Sequence, residues 1–97
     1  MDSYKFAIIC KNAIIDYFNA HSDVTDDIKI KIGDVFTVWS CKTLQNNKML
    51  LSTTVPDGLY YEITYNGDKH EAYVDVYKKW ENFVIEEKDF KDTVEEV

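Results

Sequence analysis

The chain has 97 residues, of which 45% are hydrophobic and 14% aromatic, a composition sufficient for one domain with a single packed core. Eighteen acidic residues against eleven basic ones give a formal net charge of −7, and every basic residue is a lysine. Phosphate-backbone binding requires clustered cations, and arginine makes most bidentate contacts to phosphate and guanine. The composition therefore argues against direct nucleic-acid binding.

Membrane and metal proteins are also disfavoured. The longest apolar run near the start, residues 6–10, is far shorter than the roughly eighteen residues that a spanning helix requires. Cys10 and Cys41 have no metal-ligand spacing with His21 or His70, so we expect two reduced, buried thiols and no metal or other cofactor. These features predict a cytoplasmic protein without membrane contact.

Residues 3–20 have the periodicity of an amphipathic helix, with Asp2 or Ser3 as its N-cap. The face predicted to cover a sheet comprises Phe6, Ala7, Cys10, Ala13, Ile14 and Tyr17. On the other half of the helix, Tyr4, Ile8 and Ile15 are either simply exposed or form a stripe for a homodimer.

Alternating and β-branched residues after this helix predict consecutive strands. An edge strand protected by lysines is expected at 28–32, and Gly33-Asp34 interrupts it. Later strands are expected at 35–44, 48–55 and twice within 59–77, with turns at 45–47, 55–58 and 66–67.

The orientation of the strand at 35–44 is ambiguous. Either Phe36 and Val38, or Trp39 and Cys41, can face inward. Coverage on both sides would explain this pattern, and the apolar segment 80–85 is the candidate to provide it.

The hairpin at 59–77 is organised by Asn66-Gly67, which suits a two-residue type I′ turn. Counting outward places Glu62 opposite Glu71, Tyr60 opposite Tyr73, and Ile63 opposite His70, while the 55–58 turn places Leu51 opposite Ile63. The predicted core face comprises Leu59, Tyr61, Ile63, Ala72, Val74 and Val76. The opposite face comprises Tyr60, Glu62, Thr64, Glu71, Tyr73, Asp75 and Tyr77.

Two kinds of chemistry are conceivable on that opposite face. Paired carboxylates can share a proton or bind a hard cation, although nearby lysines, among them Lys48 and Lys69, would offset their charge. Tyrosines supply contact area where proteins meet, or merely stabilise a hairpin. We predict a partner-binding patch of Tyr60, Glu62, Glu71, Tyr73, Asp75 and Tyr77, and no catalytic residue.

Acidic residues are concentrated at the end of the chain. Residues 86–97 contain six acidic residues and two lysines, net −4. This composition indicates a solvated tail, or alternatively a docking tail for a basic partner. We therefore divide the chain into a domain at 1–85 and an acidic tail at 86–97.

Four short segments, KTLQN, LSTT, PDG followed by YYE, and TYNGDK, lie within residues 38–82. They resemble a family of small uncharacterised proteins of phages and prophages of low-GC Gram-positive bacteria. The family has no assigned activity, so the resemblance supplies no functional residues. It implies a product that resides in the cytoplasm of an infected or lysogenic host cell.

Together the patterns predict an α+β fold, with the N-terminal helix packed on a four- to five-stranded antiparallel β-meander and a C-terminal segment closing one edge. The expected function is that of a non-enzymatic accessory protein, which binds an unidentified host or phage protein through the aromatic-acidic face. One alternative is an acidic nucleic-acid mimic that inhibits a host nuclease or defence protein. Another is a small metal-dependent or ligand-binding site at Glu62, His70 and Glu71.

Overall fold

The computed structural model describes residues 1–21 and 29–94. Within these ranges the chain forms one helix and a single four-stranded antiparallel sheet of order β1-β2-β3-β4, which confirms the predicted α+β meander. The elements are α1 (Ser3–His21), β1 (Val35–Thr43), β2 (Asn46–Thr53), β3 (Leu59–Asn66) and β4 (Glu71–Lys78). No helix in the described part of the chain is long and apolar enough to cross a membrane.

The edge strand expected at 28–32 is wrong over residues 29–32, and Ile28 lies outside the described residues. In its place, Ile32–Asp34 forms a short 3-10 turn that leads into β1. Ile30 is nevertheless buried, and its backbone N–H donates to the Asn19 side chain at 3.2 Å. Ile30 is thus an anchor against α1 and not part of a sheet edge, whereas Ile32 is 49% exposed.

Helix α1 begins and ends with side-chain hydrogen bonds. The Lys5 backbone N–H donates to Asp2 Oδ1 at 2.8 Å, so Asp2 is the N-cap, and this bond lowers the pKa of the Asp2 carboxyl. At the other end, the His21 ring stacks on Tyr17 with centroids 4.1 Å apart, and its Nδ1 lies 2.8 Å from the Tyr17 carbonyl oxygen. The predicted boundaries at 3 and 20 are confirmed to within one residue.

The core lies between α1 and the first three strands. From the helix, Phe6, Cys10 and Ile14 are buried, as predicted. Tyr17 packs edge-on against Tyr61 with ring centroids 6.0 Å apart. The buried hydrophobic residues of the core are Phe6, Cys10, Ile14, Ile30, Val35, Met49, Leu51, Tyr61 and Ile63.

Strand β4 extends beyond the helix. A helix is about 10 Å wide and strands lie about 4.8 Å apart, so one helix covers roughly two to three strands. Val74 and Val76 accordingly remain 44% and 38% exposed, although they lie on the same side of the sheet as the core. The prediction that these valines belong to the core face is correct for their side of the sheet and wrong for their burial.

The predicted registers of the β2–β3 and β3–β4 hairpins are both wrong, each by an even number of residues. Glu62 pairs with Asp75 and not Glu71, because the loop between β3 and β4 spans residues 67–70. The Asn66 carboxamide explains this loop, since its Oδ1 accepts hydrogen bonds from the backbone N–H groups of Asp68 and Lys69 at 3.0 and 3.2 Å. His70 lies in the loop with φ 55°, exposed and not opposite Ile63.

The β2–β3 hairpin shows the same kind of error. Leu51 pairs with Tyr61, two residues from the predicted Ile63. The connecting loop is longer than a tight turn because Thr54 donates its backbone N–H to the Asp34 carbonyl, 2.9 Å away, and does not extend the hairpin. Gly58, at φ 73°, completes the loop in the left-handed region.

Residues 79–94, which we name the C-terminal arm, continue past the sheet. The Lys79 backbone N–H donates to the Gly58 carbonyl at 2.7 Å, and beyond this bond the described arm contains one 3-10 turn, Glu87–Asp89. Trp80 is 96% exposed, and Phe36 and Trp39 of β1 are exposed as well. The prediction that residues 80–85 cover β1 is therefore wrong, since the arm follows β4, at the opposite edge of the sheet.

The two cysteines differ in environment. Cys10 lies on the buried face of α1, and burial raises the pKa of its thiol from 9.0 to about 12. Cys41 is exposed, because it pairs with Lys48 on the side of the sheet that α1 does not cover. The expectation of two buried thiols is confirmed for Cys10 and wrong for Cys41.

We expect the reagent DTNB to label Cys41 quickly in the native protein and Cys10 at least ~100-fold more slowly, because the buried thiol reacts only when the fold opens. Absorbance during labelling of the wild type and of Cys41→Ser measures this. Cys41→Ser should lose the fast phase, and urea should merge both phases in the wild type. Rapid labelling of Cys10 in folded Cys41→Ser would contradict its burial.

A candidate partner-binding face

All six predicted patch residues lie on one side of the sheet, opposite to α1, which we name the outer face. Register places Tyr60 beside Tyr77 and Glu62 beside Asp75. The next row pairs Thr64 with Tyr73, and the last pairs Asn66 with Glu71. The structure therefore brings the six together, with different neighbours from those predicted.

The outer face is acidic near β4. Glu62 and Asp75 are directly opposite, a like-charge pair that destabilises a sheet by some tenths of a kcal/mol. Lys48 Nζ lies 3.2 Å from Glu62 Oε1 and offsets this repulsion, although both side chains are partly exposed and the ion pair is screened. The carboxylates thus add little to the stability of the sheet.

Tyr73 and Glu71 form a fixed polar pair at one end of the face. The Tyr73 hydroxyl donates to Glu71 Oε1 at 2.7 Å, and this bond raises the pKa of Tyr73. The Tyr73 ring is still 44% exposed. The bond orients both side chains without covering the ring, so the aromatic surface stays open to a partner.

Strand β1 adds aromatic residues that sequence reasoning left unassigned. A bulge at Val38 shifts the register between Thr37 and Trp39, so Phe36 and Trp39, three residues apart, both lie on the outer face. They are 47% and 42% exposed. The apparent two-sided pattern of this strand was the available signal, because a bulge permits apolar residues at odd spacing to share one side.

The complete outer face is a band of apolar and aromatic side chains that crosses all four strands. From β1 to β4 it comprises Phe36, Trp39, Leu50, Tyr60, Tyr73 and Tyr77. No described segment packs as a second layer on this side, as the exposure of Phe36, Trp39 and Tyr77 shows. Such a face can provide contact area to another protein.

The geometry does not assemble the alternative acid or metal site. Glu62 and Glu71 are not opposite one another, because Glu71 pairs with Asn66, about 13 Å from Glu62 along the strand. His70 Nδ1 lies 3.4 Å from the Tyr65 hydroxyl. Among residues 1–21 and 29–94, no group of three His, Cys, Asp or Glu side chains is arranged to hold a metal ion.

The predicted helix stripe is only partly free. Tyr4 is 79% exposed, whereas Ile8 is half-buried and Ile15 packs against the core. A homodimer through Tyr4, Ile8 and Ile15 stays a prediction, and the apolar area available for it is small.

Fold and surface define the class of protein: a small α+β meander domain with one sheet face covered by a helix and the other open, aromatic and acidic. The chain belongs to a family of unknown function, DUF6275, whose sequence model matches residues 7–87. The matched region runs from α1 into the C-terminal arm. No curated protein and no solved structure matches the chain.

Proposed function

We propose that this chain is a non-enzymatic accessory protein of a phage or prophage of low-GC Gram-positive bacteria, which acts in the host cytoplasm by binding a host or phage protein through the outer face. The observation that carries this proposal is the open band of aromatic side chains across the sheet, flanked by carboxylates. Phe36, Trp39, Tyr73 and Tyr77 are all more than 40% exposed, so these rings are available to a partner.

The chemistry of the face indicates the partner's surface. Tyrosine and tryptophan rings favour an apolar, well-packed contact with few side-chain rotamers to immobilise. Glu62 and Asp75, beside Tyr60 and Tyr77, favour lysine or arginine at the rim of that contact. We infer a partner that presents an apolar patch bordered by basic residues.

This reading is preferred to nucleic-acid mimicry because of how the charges are placed. A mimic presents regularly spaced anions on a polar surface, whereas here Tyr73 lies between Glu71 and Asp75 along β4, and Lys48 pairs with Glu62. Binding through such a face should retain most of its affinity at moderate salt concentrations.

The test compares Tyr73→Ala/Tyr77→Ala with Tyr4→Ala as a matched control, since Tyr4 is an equally polar, exposed ring on the helix side of the molecule. Each tagged protein is incubated with lysate of a Gram-positive host, and retained proteins are quantified by mass spectrometry. We expect a partner held by the wild type and by Tyr4→Ala, and reduced at least tenfold, about 1.4 kcal/mol, with the double variant.

Circular dichroism would first establish that the double variant is folded. The same proteins retained in equal amounts by the folded double variant and the wild type would refute the outer face as the binding surface. Equal loss with Tyr4→Ala would place the contact elsewhere.

A further inference from the structure

The helix side of the sheet is incomplete at β4. The row of β4 that faces this side comprises Ala72, Val74, Val76 and Lys78, paired with Tyr65, Ile63, Tyr61 and Leu59 of β3. Ile63 and Tyr61 are buried, yet the valines beside them are 44% and 38% exposed. The core therefore continues into a strip along β4 that no described segment covers.

The C-terminal arm carries apolar side chains without a place in its own fold. Trp80, Phe83 and Phe90 are 96%, 71% and 63% exposed. The radius of gyration is 17.1 Å, whereas a compact chain of this length has about 12–13 Å. The arm thus extends from the body, with its aromatic rings exposed.

We propose that the arm of a second copy of this chain covers the open strip on β4, and that the exchange is reciprocal. Each chain holds both an uncovered strip and an unplaced apolar segment, so two arms and two strips satisfy one another around a two-fold axis. The arm does not cover its own strip, because Trp80 at its start is 96% exposed and Val74 of the strip is 44% exposed.

The distribution of charge favours binding of the arm to the helix side of β4 over binding to its outer side. Residues 81–92 of the arm contain five acidic residues and two lysines, net −3. The strip contains Lys78 and no carboxylate, whereas the outer side of β4 contains Glu71 and Asp75. An acidic arm therefore meets a neutral to basic strip in this position and would be repelled on the other side.

The largest interface that the exposed rings of the arms can form has the size of a stable dimer interface. The three aromatic rings of one arm expose roughly 350–550 Å², taking about 150–250 Å² for each whole side chain. Two arms, together with an equal area of the strips and flanks that they cover, reach about 1,400–2,200 Å², within the range of specific interfaces.

The test measures oligomeric state by light scattering during size-exclusion chromatography over a concentration series, with full-length chains. We expect twice the 11.4 kDa chain mass at high concentration. Either Trp80→Ser/Phe83→Ser in the arm or Val74→Asp/Val76→Asp in the strip should raise the dissociation constant at least tenfold. Tyr73→Ala/Tyr77→Ala on the outer face should leave it unchanged, which separates this proposal from the proposed partner binding.

Mixing gives a sharper result. The arm variant retains an intact strip and the strip variant retains an intact arm, so a mixture should form heterodimers with one intact contact, more tightly than either variant alone. Interfaces elsewhere on the molecule would not be restored by mixing. Because the strip is already exposed, both variants should remain folded, and circular dichroism checks this.

Trp80 reports the contact directly in a Trp39→Phe background, since the chain has only these two tryptophans. We expect blue-shifted emission at high concentration that moves to longer wavelength on dilution, together with the fall in mass. A monomer with an exposed Trp80 at every concentration would overturn the proposal. A monomer with a buried Trp80, which indicates that the arm folds back on its own strip, would overturn it too, as would a dimer that the arm variant leaves intact.

Discussion

Gly67→Ala is expected to lower the free energy of unfolding by about 2–3 kcal/mol, although Gly67 lies in a loop at the surface. A Cβ at this position would overlap the Gln45 carbonyl oxygen and lie 2.8 Å from Gln45 Cβ. The obstruction is backbone, so a rotamer change cannot relieve it. Urea denaturation followed by circular dichroism measures the loss.

The size of the effect follows from what the close approach holds together. The Gly67 N–H donates to Asn46 Oδ1 at 3.0 Å, and the Gln45 side chain donates to Asp68 Oδ1 at 2.9 Å. These bonds connect the β1–β2 turn to the β3–β4 loop at one end of the sheet. A displaced loop would lengthen both bonds as well as strain the hairpins.

Gly33→Ala is the matched control. An added Cβ there meets no atom within 4 Å, and neither glycine has a positive φ that would strain alanine. The free energy of unfolding should stay unchanged or rise by up to about 1 kcal/mol, because alanine restricts the unfolded chain. Equal stability of the two variants would show that the two loops do not pack as described.

Loop length is also what the sequence could not predict. Asn66-Gly67 predicts a two-residue turn, but the Asn66 carboxamide bonds to two following backbone N–H groups and Gly67 is engaged by Asn46. The latter contact joins residues 21 positions apart, which local patterns do not contain. With the longer loop, all eight residues of β3 pair with all eight of β4.

The prediction of which side of the sheet each side chain faces is correct although the predicted registers are wrong, and the reason is physical. Side chains alternate with a period of two, so register shifts of two and four residues change partners without moving any side chain to the other face. The predicted partner of Tyr60 is Tyr73 and the observed one is Tyr77. The predicted partner of Glu62 is Glu71 and the observed one is Asp75. The six candidate residues could therefore be grouped from sequence, while their contacts could not.

The residue pattern could not predict two features of the structure. One is the part of the outer face that β1 provides, and the other is how far the core extends across the sheet. The bulge at Val38 places Phe36 and Trp39 on one face, which strict alternation forbids. Val74 and Val76 alternate in the same way as buried residues do, yet burial depends on the width of the helix and its position over β1 to β3. Periodicity indicates a side of the sheet and not what covers it.

The variants Ile63→Ala and Val74→Ala test which strands of the sheet α1 covers. The two residues are directly opposite on β3 and β4 and face the same side, but Ile63 is 2% exposed and Val74 is 44% exposed. Ile63→Ala should lower the free energy of unfolding by about 3–4 kcal/mol, because a buried cavity adds to the lost apolar transfer energy. Val74→Ala should lower it by less than about 1 kcal/mol.

Urea denaturation at protein concentrations low enough for a monomer measures both, and the difference between the variants is the decisive quantity. Similar losses would mean that β4 is covered within one chain, either by α1 or by the C-terminal arm of the same chain. A different result would be a loss of unfolding free energy in Val74→Ala that is small in dilute protein and grows with protein concentration. Such a dependence arises when the contact of Val74 forms only in an oligomer, because higher protein concentration stabilises the assembled, folded state. That dependence would locate the missing cover of β4 in a second molecule.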